Sequence, residues 1–481
     1  MNESNNPTIE YLLSDYSPVN KAVVIKDGKP YKDSDFQILR AASKLVDKAM
    51  NSKKEDVPLI VNINNRSARE KKELINWESE YVGGFVGVVQ ISNVKVDTED
   101  QVYEVKITIK SRFYTNRPFF LAYMLAQADP LFHDWNVPIS YDNLFDFLLV
   151  TLFVTNLKDV AKQGIFRTYQ RFNRNDDRFK GSIDIARHIR LNAGMKNGKL
   201  AYYYRENTYD NNLNHLILFA YEHLKVRFPE ESRFLISRDN TVKRIITSIR
   251  ENAPEFITAK KDQVIFKSLR PIAHPYYQRY EKLRRISLII LMNKGVSIFG
   301  KEMDQIKGIL YYIPDLWETC LENRLKVANT DYYIKSQERI KVLDSIIYPD
   351  FVFYKKMDNK NKAILILDAK FKPNWYYAAS TGKLTGKNYN FWEDYNKCIR
   401  DMDAVNADHS GVIFPTCKEQ SGDSLSQSWE YNRSEKNTNK FYCYSVYVPE
   451  SENINYTIWK KLLVDQLNIM EDNIRKTLEL Y

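Results

Sequence analysis

Alternation and helical spacing divide this chain into three stretches. From Ala22 to about Arg112, apolar residues come in short β-branched runs or alternate with polar ones: Ala22–Ile25, Val57–Val61, Gly84–Ile91 and Val102–Ile109. A period of two buries one face of a strand and wets the other, so these segments read as strands, with one helical pattern from Phe36 to Met50. Between Phe119 and about Met292 the spacing moves toward 3.6. It predicts helices over Leu121–Ala128, Tyr141–Leu157, Asn212–Val226, Arg244–Ile249 and Tyr276–Leu291. From Phe299 onward the order reads helix, hairpin, helix, strand, strand, helix, closing with an amphipathic helix over Thr457–Leu480. The expectation is an α+β multidomain chain: a β-rich module over residues 1–115, a mainly helical region over 116–298, and an α/β domain with a mixed central sheet over 299–481. Residues 1–20 read as a polar end.

The third stretch holds the residues that point to chemistry. Ser345–Tyr354 and Ala363–Leu367 are mostly β-branched, aromatic or aliphatic, and the polar run Met357–Lys362 between them reads as a turn. A turn centred on Asn359 sets Asp350 and Asp368 opposite each other, because each lies nine residues away. Opposed residues on an antiparallel pair have Cβ atoms about 4.5–5.5 Å apart. Two carboxylates that close repel one another unless a cation lies between them. Lys370 follows two residues later on the same face. A strand of Ile364-Leu365-Ile366-Leu367 has no packing reason to end in Asp-Ala-Lys. Solvated strand ends would give the same bare pattern, so the symmetric hairpin, Pro349 and the apolar run into Asp368 are what favour a site. Glu318, in a helix beginning at Pro314-Asp315, shares a face with Leu321 and Leu325 and can lean toward the sheet as a further ligand; a solvated helix-face acid explains it equally well. The chemistry that suits these groups is phosphodiester hydrolysis. Asp350, Asp368 and the Ala369 carbonyl would bind magnesium, with manganese as a substitute, and Lys370 would orient water and offset phosphate charge.

Composition narrows the classes. The 44% hydrophobic and 27% charged content fits a folded soluble chain, and the longest apolar runs are far short of a bilayer span. The start lacks the basic-then-apolar pattern of a secretory signal, so a cytoplasmic protein without a membrane partner is expected. Four cysteines lack metal-ligand spacing and are expected as reduced thiols, and six scattered histidines form no zinc pair. There is no P-loop, so the chain is not expected to bind a nucleotide by itself. A net charge of +10 favours a polyanionic partner. Two basic segments interleave Arg with aromatics, a composition suited to phosphate contact and base stacking. One is Ile165–Arg174, leading into Arg178–Asp184, with Arg167, Arg171, Arg178 and Lys180 as candidates. The other is Tyr276–Arg285, with Arg279 and Arg284. For any one of these residues, an Arg stem packed on the core is the simpler account.

Taken together, the motifs resemble a known group. Pro349-Asp350…Asp368-Ala369-Lys370 resembles the PD-(D/E)XK nuclease superfamily. Gly84-Phe85-Val86-Gly87-Val88, Arg178-Phe179-Lys180-Gly181-Ser182-Ile183-Asp184, Glu206–Asn214 and Leu316-Trp317-Glu318 make residues 85–410 similar to McrC and LlaJI-type restriction subunits. The resemblance implies a PD-(D/E)XK core in the last domain, with Asp350, Asp368, Lys370 and Glu318 catalytic. It also implies a magnesium-dependent DNA endonuclease working with, and stimulating, a McrB-like AAA+ GTPase hexamer, contacted by the N-terminal module. Many relatives carry a Gln in the helix after the site, four residues before a Tyr; here Lys397 and Asp401 stand there. That leaves Lys397 as a DNA-backbone candidate and Asp394 as structural. Two alternatives stay open: an activating subunit with little or no cleavage, and a stand-alone nuclease of a repair system.

Overall fold

The computed structural model describes residues 6–30, 36–51, 59–62, 72–96, 99–113, 117–128, 144–193, 198–229, 232, 236, 239–291, 306–325, 332–342, 345–355, 362–372, 375, 391–417, 427–434, 437–452 and 454–480. The expected turn at 357–361, Tyr376-Tyr377 with the loop to Asn390, and the start of the surface loop after Cys417 lie outside the described residues. The chain divides into two compact units, one of residues 1–52, 59–145 and 308–481, the other of 53–58 and 146–307. The first and last stretches of the sequence reading thus share one unit.

The first unit carries two large sheets. One has seven strands in the order Lys29–Pro30, Val23–Lys26, Thr8–Ser14, Glu99–Lys110, Phe85–Val96, Ile306–Tyr312, Leu59–Asn62. Alternation works as expected, with Tyr103, Val105, Ile107 and Ile109 buried on one face of their strand. The order expected from Phe299 onward opens on a helix and has no strand at Ile306–Tyr312; the structure has one there. Its short apolar run is compatible with either state, and pairing settles it. It can pack there because two glycines meet at the crossing. A Cβ on Gly87 would lie 2.0 Å from the Ile309 carbonyl oxygen, and one on Gly308 would lie 2.4 Å from that of Val88.

The other sheet is mixed, in the order Tyr332–Ser336, Phe351–Lys355, Lys362–Ala369, His409–Thr416, Asn437–Tyr447, Gln427–Ser434. Lys362–Ala369 runs parallel to His409–Thr416, and the helix Phe391–Val405 makes the crossover between them. Helices cover both faces. Cys398 of the crossover helix packs with Val412, Phe414 and Cys443. On the opposite face, Trp317 Nε1 donates to the Ile413 carbonyl, and the Tyr444 hydroxyl bonds Thr477 of the last helix. The two sheets are joined where the site strand ends. Phe371 packs against Phe113 and Phe120, and its carbonyl accepts from Arg112, which also pairs with Asp15 at 3.0 Å. All four cysteines are free thiols. Among the described residues, no helix is long and apolar enough to cross a membrane.

The second unit is largely helical, with a three-stranded antiparallel sheet that the helical reading did not foresee: Ser182–Ile183, Leu200–Thr208, Thr168–Asp176. The sheet accounts for two of the sequence motifs. Gly181 adopts φ +83 where a Cβ would strike the Tyr203 carbonyl at 2.5 Å, and Asp184 caps the next helix by accepting from the Arg187 N–H. In Glu206–Asn214, Asn211 caps the helix Asn212–Arg227, while Asn214 Nδ2 donates to the carbonyls of Phe166 and Tyr209. These asparagines fix a strand-to-helix turn.

Candidate functional site

The site grows from the hairpin register. Phe351 pairs with Leu367 and Val352 with Ile366, so continuing the ladder by one residue brings Asp350 beside Asp368. The expected single strand Ser345–Tyr354 breaks at Tyr348–Asp350, giving Ser345–Ile347 and Phe351–Lys355. Pro349 explains the break, since it has no N–H to donate to a ladder. Asp350 is thereby freed from strand pairing, and its Oδ2 accepts from the Ala369 N–H at 2.8 Å.

A residue that sequence reasoning missed completes the acidic side. Gln337 leaves the neighbouring strand in the left-handed region, φ 54, and its backbone N–H donates to the Asp350 carbonyl at 3.0 Å. Its Nε2 then donates to Asp350 Oδ1 at 2.9 Å and to Glu318 Oε1. One amide thus bridges two carboxylates, tying the helix Ile313–Leu325 to the sheet. The pairing of Ser336 with Phe351 places Gln337 next to Asp350. No local motif marks it.

The basic side is a crossed pair of ion pairs. Lys370 Nζ lies 2.7 Å from Asp368 Oδ2 and 3.1 Å from Asp394 Oδ1. Lys397 Nζ lies 2.6 Å from Asp368 Oδ1, so each oxygen of Asp368 faces an ammonium. Lys372 pairs with Asp394 at 3.0 Å. Asp394 and Lys397 are three residues apart on one helix, hence on one face. Asp394 and Lys372 are further members that the sequence reading did not assign to the site.

Burial and charge set the protonation. Burial and the nearby Asp350 push the Glu318 carboxyl up to about 8. Burial and Asp368 push Asp350 up to about 6. Burial also opposes the charge on Asp368, but Lys370 and Lys397 outweigh it and hold that carboxyl well below its ordinary value. Asp368 in turn raises Lys397 well above the usual lysine value. Among the described residues, no three acidic, His or Cys side chains stand ready as a metal cage. The arrangement offers two facing carboxylates with a third linked through Gln337. That set suits a hard cation which keeps several waters, and the crowding that raises Asp350 and Glu318 is what such a cation would relieve.

The family comparison bears on this geometry. The family model described as McrBC 5-methylcytosine restriction system component matches residues 81–388, well over half of the chain. This chain belongs to that family. The matched span of this McrBC-family chain takes in Glu318, Gln337, Asp350, Asp368 and Lys370, whereas Asp394 and Lys397 lie beyond its end. Among solved structures, the chain is similar to one in a half-complex of Thermococcus gammatolerans McrB AAA+ hexamers with bound McrC. Identity is 13% and the TM-score 0.47, over 95% of this chain and 99% of that one. A second, the Thermococcus gammatolerans McrBC complex, gives 15% identity and a TM-score of 0.32, over 66% and 88%. No curated protein matches the chain.

The remaining candidates lie in the second unit. The Arg171 guanidinium stacks 3.8 Å over Tyr203, Arg167 lies 5.9 Å over Tyr209, and Lys180 pairs with Glu206 at 2.9 Å. Arg178 is exposed, and Arg279 pairs loosely with Asp159 at 3.3 Å. Arg284 is different. It is 3% exposed and spends its guanidinium on Glu281 and the carbonyls of Ser268 and Leu269. A guanidinium buried and bonded in this way ties the fold together rather than facing solvent.

Proposed function

We propose that this chain is the magnesium-dependent DNA endonuclease subunit of a McrBC-type restriction system, built on a PD-(D/E)XK core. In this reading it cleaves phosphodiester bonds together with an AAA+ GTPase whose activity it stimulates. The observation that supports cleavage is the grouping of Asp350 beside Asp368 with Lys370 at 2.7 Å. The partner reading rests on family membership.

Asp350 and Asp368 would hold the ion, with the Ala369 carbonyl and, through Gln337, Glu318 in support. Magnesium, when bound, supplies Lewis acidity and lowers the pKa of water. Lys370 is steadied by Asp394, so its ammonium points at the acids without depending on Asp368 alone. It orients the attacking water and offsets charge building on the phosphate oxygens. The helix Phe391–Val405 brings Lys397 to the same place, where it can take a neighbouring phosphate.

The test uses purified protein with its AAA+ partner, GTP, magnesium and plasmid. Wild type should cut, and Asp368→Asn should abolish cutting while leaving GTPase stimulation intact. Wild type that stimulates GTP hydrolysis normally but never cuts DNA would end the nuclease reading.

A further inference from the structure

The two basic-aromatic segments picked out in the sequence converge. Gln163 Nε2 donates to the Tyr276 carbonyl at 3.0 Å, and the Tyr276 hydroxyl donates back to the Gln163 carbonyl at 3.4 Å, although 113 residues separate them. The Tyr280 hydroxyl adds a bond to the Gly164 carbonyl at 2.6 Å. Between the clasped segments lies a cleft of about 480 Å³. Phe166 and Tyr277, buried and edge-to-face at 4.8 Å, belong to its fixed apolar lining. Two other lining tyrosines are open to solvent, Tyr169 at 73% and Tyr276 at 57% exposure. Tyr169 pairs in register with Asn207, whose side chain is exposed, and Arg167 completes this side. None of the lining residues is acidic.

An apolar lining, exposed tyrosine rings, a free amide edge and a guanidinium suit a flat aromatic ligand with hydrogen-bonding edges and an attached negative charge. A nucleotide pulled out of its stack has each of these features. The flank argues for a nucleic acid over an aromatic side chain of a protein. Arg171 pairs with Arg205 two positions along the same strands from Tyr169 and Asn207, so cationic side chains continue away from the cleft as successive phosphates would require. We propose that this cleft binds one unstacked base of a DNA strand. The base stacks on Tyr169 and Tyr276, Asn207 meets its edge, and Arg167 takes the adjoining phosphate. The inference rests on DNA being the substrate and is independent of the cutting site.

The experiment measures binding of full-length protein, without metal, to a short single strand and to an abasic strand of equal length. Fluorescence anisotropy reads both. Wild type should prefer the base-bearing strand. Tyr169→Ala should weaken that binding by about 5- to 150-fold, or ~1–3 kcal/mol, the range for one base–aromatic stack. Binding to the abasic strand should not change, and Tyr169→Phe should behave as wild type. Equal wild-type affinity for the two strands would overturn the proposal and assign the cleft to a protein ligand. Tyr169→Ala weakening both strands alike, or neither, would overturn it too. The outcomes are separable from the nuclease reading, since the assay contains no metal and reads base-dependent binding rather than cutting.

Discussion

If Asp368 holds magnesium as proposed, Lys397 occupies an oxygen the ion would use, and that makes it the sharpest point of attack. Both oxygens of Asp368 carry an ammonium, so a cation bound there would compete with at least one of them. Lys370 has Asp394 as a second anchor; for Lys397, Asp368 is the one ion-pair partner among the described residues. Lys397 is therefore the group that such a cation would displace. Its side chain is 38% exposed, so the pair is worth less than a buried one. An exposed pair contributes about 0.2–1 kcal/mol and a charge-assisted hydrogen bond about 1.5–3 kcal/mol. A middle value of roughly 1–2 kcal/mol corresponds to about 5- to 30-fold in affinity. Lys397→Met removes the competing charge while keeping the stem. Magnesium or manganese titrated into the DNA-free protein by calorimetry should then bind about 5- to 30-fold more tightly than to wild type. The same variant should bind DNA less well, having lost a cation at the mouth of the site. A metal affinity that is unchanged or weaker in Lys397→Met, with the fold intact by circular dichroism, would refute the displacement argument.

Other outcomes follow from the same geometry. Asp350→Asn and Asp368→Asn should each lose metal binding in calorimetry, whereas Lys370→Ala should bind metal and DNA but turn over no substrate; a Lys370→Ala protein that cuts would remove Lys370 from the chemistry. Gln337→Ala should lower metal affinity or cleavage by about 10- to 100-fold, because the donor shared by Glu318 and Asp350 is gone. Near-wild-type values there would show that the bridge is incidental. Without metal, Glu318 keeps its proton up to about 8 in the folded state but releases it near 4.5 when unfolded. The folded state then holds more protons across that window, so stability should fall as pH rises from about 4.5 to about 8. Thermal melts should show a shallower decline for Glu318→Gln; parallel slopes would exclude Glu318 as the cause.

The hairpin was legible because both of its determinants are local. Counting from Asn359 paired Asp350 with Asp368, and the observed pairing of Phe351 with Leu367 continues to the same place. Nearer the turn the ladder slips by one at a bulge between Phe353 and Tyr354, which leaves the site end untouched. Glu318 was half legible: its helix and face could be read, but the contact that commits it to the site runs through Gln337, 19 residues away and just past the end of a strand. The strand Ile306–Tyr312 was lost for a related reason, since its partner Leu59–Asn62 lies far away in sequence. In the sequence Lys397 stands out only as a departure from the resemblance; the structure places it against Asp368. One helix face presents Asp394 to Lys370 and Lys397 to Asp368, so the strand end and the helix exchange opposite charges. A cation on the Asp368 oxygen would break the Lys397 link but leave the Asp394 links to Lys370 and Lys372 in place. The helix would then stay docked while a single ammonium moved from carboxylate to phosphate. A neutral side chain at position 397 would leave the first link unmade and the metal oxygen uncontested.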